Sequence, residues 1–371
     1  TGFRPQASTV DNVVILAYLA HQATRPKQIP LHCCFVDYSA AFDNVDRNHL
    51  WSKLTKWGIP YPLLAAIRSL YVDTWVRVKL TDSYLTPEIR TSSGLKQGCV
   101  LAPLLFNLYL ADLGSVLEGA CLALPKIGRT RLQILQNADD LVILDHTKIG
   151  LQRALGALNQ YNQNNSLKLN ANKTKVITFG KYVHKLAAKW RVGLNTINST
   201  SNYKYLGIWF NERGSEVRHT LELQMGSKSL TYVLKRLYKN LPSPSAEAIM
   251  RVLEAKLLPA LTYGLLAFPG KLSQVMDKEQ MKAYKCILGI KRFARAARVR
   301  SELGLISYHF QDLAGVIKYY LSLTRAPTNS LRAVARHIFE EQTNPWSKYL
   351  GVAVQTLAVV EESLIIRPFH W

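Results

Sequence analysis

The sequence predicts an α+β protein, with strands and helices mixed over its first 210 residues and helices almost alone after them. Three observations carry this. Short apolar runs rich in β-formers recur between residues 31 and 210. Helical spacing alternates with them and dominates from Glu216 onward. Hydrophobic residues are 48% of the 371, enough to bury a core, so wholesale disorder is excluded.

Taken in order, Asp11–His21 carries apolar side chains at Val13, Val14, Leu16, Ala17 and Leu19 and reads as a helix. Leu31–Asp37 reads as a buried strand. Asp46 can cap a helix through Trp57, with Gly58 as its stop, and Pro62 opens another through Tyr71. Trp75–Leu80 alternates as a strand with Glu88–Thr91 as its partner. Gly98–Leu117 is long enough for one buried helix. Arg131–Leu144 reads as two short strands around Asn137–Asp140, and Ile149–Asn164 has helical spacing. Strand-like runs follow at Lys175–Phe179, Lys189–Val192 and Tyr203–Phe210. The later helical pattern breaks at Leu241–Ser245, at Pro269–Gly270 and at Pro327.

Composition narrows the function. The longest uncharged stretch around the most apolar segment, Gln97–Ala111, is too short for a membrane span and contains Pro103 and Asn107. The first residues hold no apolar signal core, so an intracellular site, cytoplasmic or nuclear, is expected. The five cysteines are odd in number and form no Cys-x-x-Cys pair, which disfavours a disulfide framework and a cysteine zinc site. The net charge of +22 is uneven: +2 over residues 1–145, +20 over 146–300 and zero over 301–371. From His146 to Asn211 there are ten Lys or Arg and no acid. Such a block attracts polyanions. Tyr161, Trp190, Tyr203, Tyr205 and Trp209 are interleaved with it, offering rings for bases while the cations meet phosphates. A merely solvated basic face is the competing reading.

Three carboxylates lie at the ends of apolar strands. Asp37 follows Cys33-Cys34-Phe35-Val36, while Asp139 and Asp140 sit between Ile134-Leu135 and Leu141-Val142-Ile143-Leu144. A turn there displays two adjacent acids, and a third from a neighbouring strand completes an oxygen-rich pocket. That chemistry suits Mg²⁺, which takes a few carboxylates plus substrate phosphates. Two such ions can clamp an in-line phosphoryl transfer. An Asp-Asp pair alone is more often a turn or cap.

Seven segments, in order, resemble the reverse transcriptases of non-LTR (LINE-type) retrotransposons. They are GFRPQASTVDN at 2–12, FVDYSAAFDNVDR at 35–47, SGLKQGCVLAPLLFNLYLADL at 93–113, LQNADDLVIL at 135–144, LKLNANKTKVITFG at 167–180, YKYLGIWF at 203–210 and SELGLIS at 301–307. The resemblance implies a right-hand polymerase palm over residues 1–210, an antiparallel sheet backed by helices. It implies a helical thumb over 211–270 and a helical C-terminal extension over 271–371. In that extension Lys282, Lys285, Lys291, Arg292, Arg295, Arg298 and Arg300 are spaced to line a helix with phosphate contacts, a solvated helix face being the competing reading.

The resemblance also implies roles. Asp37 and Asp139, with Asp140 beside them, hold two Mg²⁺ ions, for which Mn²⁺ can substitute; the Phe35 or Val36 carbonyl assists. Phe42 stands at the sugar gate that excludes a 2′-OH, with core packing as the plainer reading. Gln97 and Gly98 contact the incoming nucleotide and template. Asn107 reaches the nucleotide sugar or packs the helix. Lys173 meets pyrophosphate, with Lys175 as the fallback. Tyr205, Leu206 and Gly207 form a primer grip, Gly207 allowing close backbone approach. Asp43 and Asp46 serve turns and caps. The partners implied are an RNA template, a DNA primer or RNA–DNA hybrid, and dNTPs, with no membrane.

The sequence departs from the family pattern at Asn137, where the family has Tyr or Phe, and at Ala40, often basic in the family. The family's fingers region, with its Arg-Pro-Ile motif, precedes the segment where this sequence begins. Two readings follow: an RNA-directed DNA polymerase, or a truncated, weak or inactive relic that binds RNA or RNA–DNA hybrid.

Overall fold

Capping chemistry sets the first helix of the computed structural model, which describes residues 7–81, 84–180, 189–240, 245–328 and 330–364. The expected motif at 2–12 therefore lies partly outside the described residues, as do Lys181 and Lys185 of the basic block and 241–244 of the expected break. Ser8 and Asp11 form a reciprocal capping box at the start of α1 (Thr9–Thr24), which is buried without interruption from Asp11 to Ala20. β1 (Leu31–Val36) is buried throughout. Asp46 caps α2 (Arg47–Lys56), accepting from the His49 N–H at 3.1 Å. α3 (Tyr61–Ser69) carries Pro62 in its first turn.

The expected strand Trp75–Leu80 splits in two. β2 (Trp75–Val76), β3 (Lys79–Thr81), β4 (Tyr84–Leu85) and β5 (Ile89–Arg90) form nested pairs, β2 with β5 and β3 with β4. Gly98–Leu117 is not one helix but α4 (Ala102–Tyr109) and α5 (Leu113–Leu117). Gly98 takes φ +80, Pro103 fixes the helix start because it has no N–H to give, and Leu110 leaves helical geometry. A small hairpin, β6 (Lys126–Ile127) and β7 (Thr130–Arg131), precedes the longer one of β8 (Ile134–Asn137) and β9 (Asp140–Asp145). α6 (Lys148–Asn164), capped by Thr147, leads to β10 (Lys175–Phe179), β11 (Trp190–Val192) and β12 (Asn195–Ser199). Tyr203–Phe210 is a hairpin rather than a single run, β13 (Asn202–Tyr205) and β14 (Ile208–Asn211). Its turn residues Leu206 and Gly207 take φ +45 and +83, the signature of a tight hairpin turn.

Six strands form one sheet in the order β11-β12-β10-β1-β9-β8. All neighbours are antiparallel except β10 and β12. Strand side chains alternate faces, and here both faces are buried. Cys33, Phe35, Val142 and Leu144 join α1 and the C-terminal helices in one core. Cys34, Val36, Leu141 and Ile143 join α2, α4, α5 and α6 in the other. The α+β class and the helix-backed antiparallel sheet are as expected.

Helices follow: α7 (Val217–Lys239), α8 (Ala246–Thr262), a single 3₁₀ turn at Leu265–Ala267, α9 (Ser273–Ile287), α10 (Ala296–Glu302), α11 (Tyr308–Thr324), α12 (Leu331–Glu340) and α13 (Pro345–Leu364). Pro269–Gly270 and Pro327 fall between helices, as expected. The late helices return to α1. The Tyr319 hydroxyl donates to Asp11 Oδ1 at 2.8 Å, Arg332 stands 3.8 Å from Asp11, and the Tyr18 hydroxyl donates to Glu341. The basic run Lys282–Arg300 does not line one helix. α9 ends at Ile287 and α10 begins at Ala296, and three of the cations are engaged by groups of this same chain: Lys282 with Glu279, Lys285 with the Arg292 carbonyl, Arg300 with Asp277. Among the described residues no helix is long and apolar enough to cross a membrane.

Candidate active site

Strand register brings the acids together. β1 pairs with β9 from His32↔Asp145 to Val36↔Leu141. One further step along that register sets Asp37 opposite Asp140. Asn137 pairs with Asp140 across the β8–β9 turn, so only Ala138 and Asp139 occupy it. Ala138 is held at φ +55, a left-handed conformation costing an alanine about 1 kcal/mol. The short turn presents Asp139 beside Asp140, and the Asn12 side chain ties β8 to α1 by donating to the Gln136 carbonyl at 3.2 Å.

A second turn wraps Asp37. The Asp37 N–H donates to Thr174 Oγ1 at 3.1 Å, and its carbonyl accepts from the Asn170 N–H at 2.8 Å. Asn170 Oδ1 accepts from the Lys173 N–H at 3.2 Å, so the turn carries Lys173 to the acids. Desolvation pushes the Asp37 carboxyl above its ordinary value, the Lys173 charge opposes this and Asp139 adds to it. Asp140 is pushed up to about 6, by desolvation first and then by the charges of Asp139 and Asp37. Because Asp140 keeps an exposed surface, its two acidic neighbours are the firmer part of that cause. An all-oxygen donor set under mutual repulsion fits a hard divalent cation. Among the described residues no three His, Cys, Asp or Glu form a ready metal cage, so water and phosphate would complete the coordination.

Around the segment after β1, Phe42 stacks on the buried ring of Phe106, centroids 4.5 Å apart. Its carbonyl accepts from the Leu95 N–H at 2.9 Å, and Gln97 Nε2 donates to Asp43 at 3.1 Å. The Gln97–Gly98 turn is thus laid against the Phe42 segment. Gly94 is needed at the crossing: its φ is +81, and a Cβ there would come within 2.8 Å of the Asp43 carbonyl oxygen. Gln97 and Gly98 are exposed, whereas Asn107 is buried on α4. Arg47 is buried and ties the same region together, donating to the carbonyls of Gly94 at 2.8 Å and Thr91 at 2.9 Å and to Thr74 Oγ1 at 2.9 Å.

The β13–β14 hairpin leans on the strand that ends in Asp37. Tyr203 stacks on Phe35 with centroids 4.4 Å apart and planes 20° from parallel. Its phenol is pushed up to about 12 by burial, then by Asp37 and Asp140. The Tyr205 ring is fully buried, which leaves Leu206 and Gly207 at the hairpin tip. The expected base-stacking aromatics are mostly unavailable. Tyr161, Trp190 and Tyr205 fill the core, and Trp209 is covered by Arg218 at 4.7 Å. An aromatic in a basic block is drawn inward when its strand or helix turns that side to the core.

Asn170, Thr174 and Arg47 form the site without having stood out in the sequence, and Tyr203, expected to stack a base, stacks on Phe35 instead. The Asn-Ala-Asn-Lys-Thr run carries turn chemistry that marks the first two. A groove of about 830 Å³ between α7 and α9, lined by Lys228, Lys235, Arg236, Lys239 and Lys282, adds a cationic surface beyond the sheet.

Residues 1–210 match the family described as reverse transcriptase (RNA-dependent DNA polymerase). The RNA-directed DNA polymerase from mobile element jockey of Drosophila melanogaster is 24% identical over 341 residues, covering 89% of this chain and 36% of that protein. The Pol polyprotein from retrotransposable element R2DM of Drosophila melanogaster is 29% identical over 279 residues, 72% of this chain and 25% of that protein. The chain therefore spans about a quarter to a third of the length of these relatives. The apo telomerase of Candida tropicalis superposes with a TM-score of 0.41 at 12% identity, over 88% of this chain and 56% of that one. With a family match over more than half its length, the chain belongs to the reverse transcriptase (RNA-dependent DNA polymerase) family, and the relatives it resembles are mobile-element proteins.

Proposed function

We propose that this chain carries out RNA-templated DNA synthesis, adding dNTPs to a primer 3′ end as the polymerase portion of a longer mobile-element protein. The observation that carries this is the meeting of Asp37, Asp139 and Asp140 at adjacent strand ends with Lys173 alongside. Residues 1–210 act as palm, 211–270 as thumb and 271–371 as a helical extension.

Asp37 and Asp139, with Asp140, would hold the two Mg²⁺ ions. When bound, these supply charge neutralisation at the triphosphate and activation of the primer hydroxyl. Lys173, whose charge acts on Asp37, would meet the departing pyrophosphate, either giving it a proton or simply holding its charge. Phe42, braced by Phe106, closes the space a ribose 2′-OH needs. Gln97 and Gly98 border the nucleotide and template, and buried Asn107 supports the Phe106 helix from within. Leu206 and Gly207 present the hairpin tip to the primer end, with Tyr205 as its buried anchor. The cations of the α7–α9 groove meet the hybrid's phosphates.

Primer extension on an RNA template, parent against Asp139→Asn, tests the reading. The variant is expected to lose at least about a hundredfold in incorporation, as removal of a group acting only in the transition state does. Equal incorporation by both chains would refute it. Salt-sensitive hybrid binding without incorporation by either chain would favour the relic reading, which the Asn137 departure motivates.

A further inference from the structure

The tip of the β13–β14 hairpin is not free-standing. Tyr263, the residue that ends α8, reaches back 57 positions and donates its hydroxyl to the Leu206 carbonyl at 2.6 Å. The same ring covers Gly207 so closely that a Cβ there would lie 2.8 Å from Tyr263 Cε1. The close approach that Gly207 permits is therefore made by this tyrosine. Gly264 completes the interlock: it takes φ +91, and a Cβ on it would run into the Ile208 side chain and come within 2.7 Å of His219 Nε2. Two turns, Leu206–Gly207 and Tyr263–Gly264, thus fit into one another, each needing its glycine.

The two turns belong to different parts of the fold. Leu206 and Gly207 are the tip of a hairpin whose Tyr203 stacks on Phe35, two residues before Asp37. Tyr263 terminates a helix of 17 residues, about 25 Å long by helical rise. That helix is joined to the hairpin tip by one hydrogen bond and one ring face. Leu206 itself stands at φ +45, a conformation that costs an ordinary residue free energy, and the Tyr263 hydroxyl secures its carbonyl. Tyr263 remains 40% exposed, so its hydroxyl serves the tip without being buried in the core.

We propose that Tyr263 is a positioning residue for the primer 3′ end, acting through Leu206 and Gly207 and coupling the orientation of α8 to the placement of the primer terminus. This rests on the reading of the hairpin tip as the primer grip.

The test uses the full chain and an RNA–DNA hybrid whose primer ends in 2-aminopurine, a fluorescent base that reports its own stacking. Tyr263→Phe removes the hydroxyl and leaves the ring against Gly207. At saturating protein, Tyr263→Phe is expected to change the fluorescence of the terminal base, while hybrid affinity stays within about twofold and Tm is unchanged. In extension assays kcat is expected to fall about tenfold with the dNTP KM unaltered, since a small misplacement of reacting groups costs rate rather than nucleotide binding. Tyr61→Phe, at an exposed position on α3, controls for loss of a phenol and is expected to change neither readout. Hybrid binding with unchanged terminal fluorescence and unchanged kcat in Tyr263→Phe overturns the positioning role alone. Absence of hybrid binding by the parent at low salt overturns both this role and the polymerase reading. Equal incorporation by the parent and Asp139→Asn, with the fluorescence shift intact, sinks the polymerase reading and leaves the coupling standing.

Discussion

Phe42 and Phe106 stack face to face, with centroids 4.5 Å apart and planes 19° from parallel. Phe106 is fully buried, so the partly buried Phe42 ring is set by a side chain that cannot move without opening the core. Phe42→Ala should raise ribonucleotide incorporation relative to deoxynucleotide by at least about tenfold, the scale of discrimination a shaped pocket achieves. Single-nucleotide kinetics with matched dNTP and rNTP read this directly. Phe106→Leu should relax the same selectivity less, and destabilise the fold by about 1–2 kcal/mol in urea denaturation.

Arg47 braces the Gly94 crossing through carbonyls and threonine hydroxyls, and among the described residues no acidic side chain pairs with it. Arg47→Met would strip several buried acceptors at once and should cost about 3 kcal/mol of stability. Arg47→Lys should recover only part of that, because an ammonium lacks the planar fork that spans Gly94 and Thr91. Chemical denaturation of the three chains side by side checks both statements. Recovery to parental stability with lysine would contradict the geometric account.

Asp140 gives a pH test. Its ordinary value of 3.8 rises to about 6 in the folded chain. Below 3.8 the group is neutral in both folded and unfolded states and costs nothing. As pH climbs from 3.8 through 6, the unfolded state ionises first, so stability is lost across that window and stays lost above it. Asp140→Asn should therefore raise Tm at pH 7.5 and leave it unchanged at pH 3.5. Millimolar Mg²⁺ should raise the parent's Tm at pH 7.5, more than at pH 5 and more than it does for the variant, and EDTA should reverse the gain. Thermal scans across these buffers suffice. A parent indifferent to Mg²⁺ at pH 7.5 would count against a carboxylate metal site.

The α7–α9 groove makes a salt-dependent prediction. Replacing Lys228, Lys235 and Lys239 with glutamine should reduce the slope of log affinity against log salt for an RNA–DNA hybrid by about one unit per phosphate contact removed. The same triple change should leave Tm within about 1 °C, since exposed lysines contribute little to folding. Fluorescence anisotropy at four or five salt concentrations gives the slope. An unchanged slope would place the hybrid elsewhere on the protein.

Much of the site is local and was therefore readable. Asp37 and the Asp139–Asp140 pair each end an apolar strand, and that pattern survives without knowing which strands pair. What escaped reading depends on residues far apart in sequence. Tyr161 and Trp190 look like base-stacking rings beside a basic block, yet α6 and β11 turn them into the core. The Gly98–Leu117 run has enough apolar residues for one helix, but a left-handed glycine and Pro103 delay its start and Leu110 ends its first segment. Arg47 reads as an ordinary helix-start cation because its partners lie 24 to 47 positions later. Tyr263 gives no local sign of the hairpin it holds.

The contacts between α1 and the late helices bear on how the chain is made. Asp11 is wholly buried, and its tyrosine partner lies 308 positions later; the Tyr18–Glu341 pair spans 323. An emerging polypeptide has α1 long before it has α11 or α12. Until they arrive, the mostly apolar α1 lacks the late helices that cover its outer side, and its inward acid has only the Ser8 N–H of its own capping box. Closing contacts of such span is slow, and it favours a partly built intermediate that is prone to aggregate. Synthesis must therefore pass Glu341 before the first helix is sealed, and a ribosome that stops short of it releases a chain whose α1 lacks its late-helix partners.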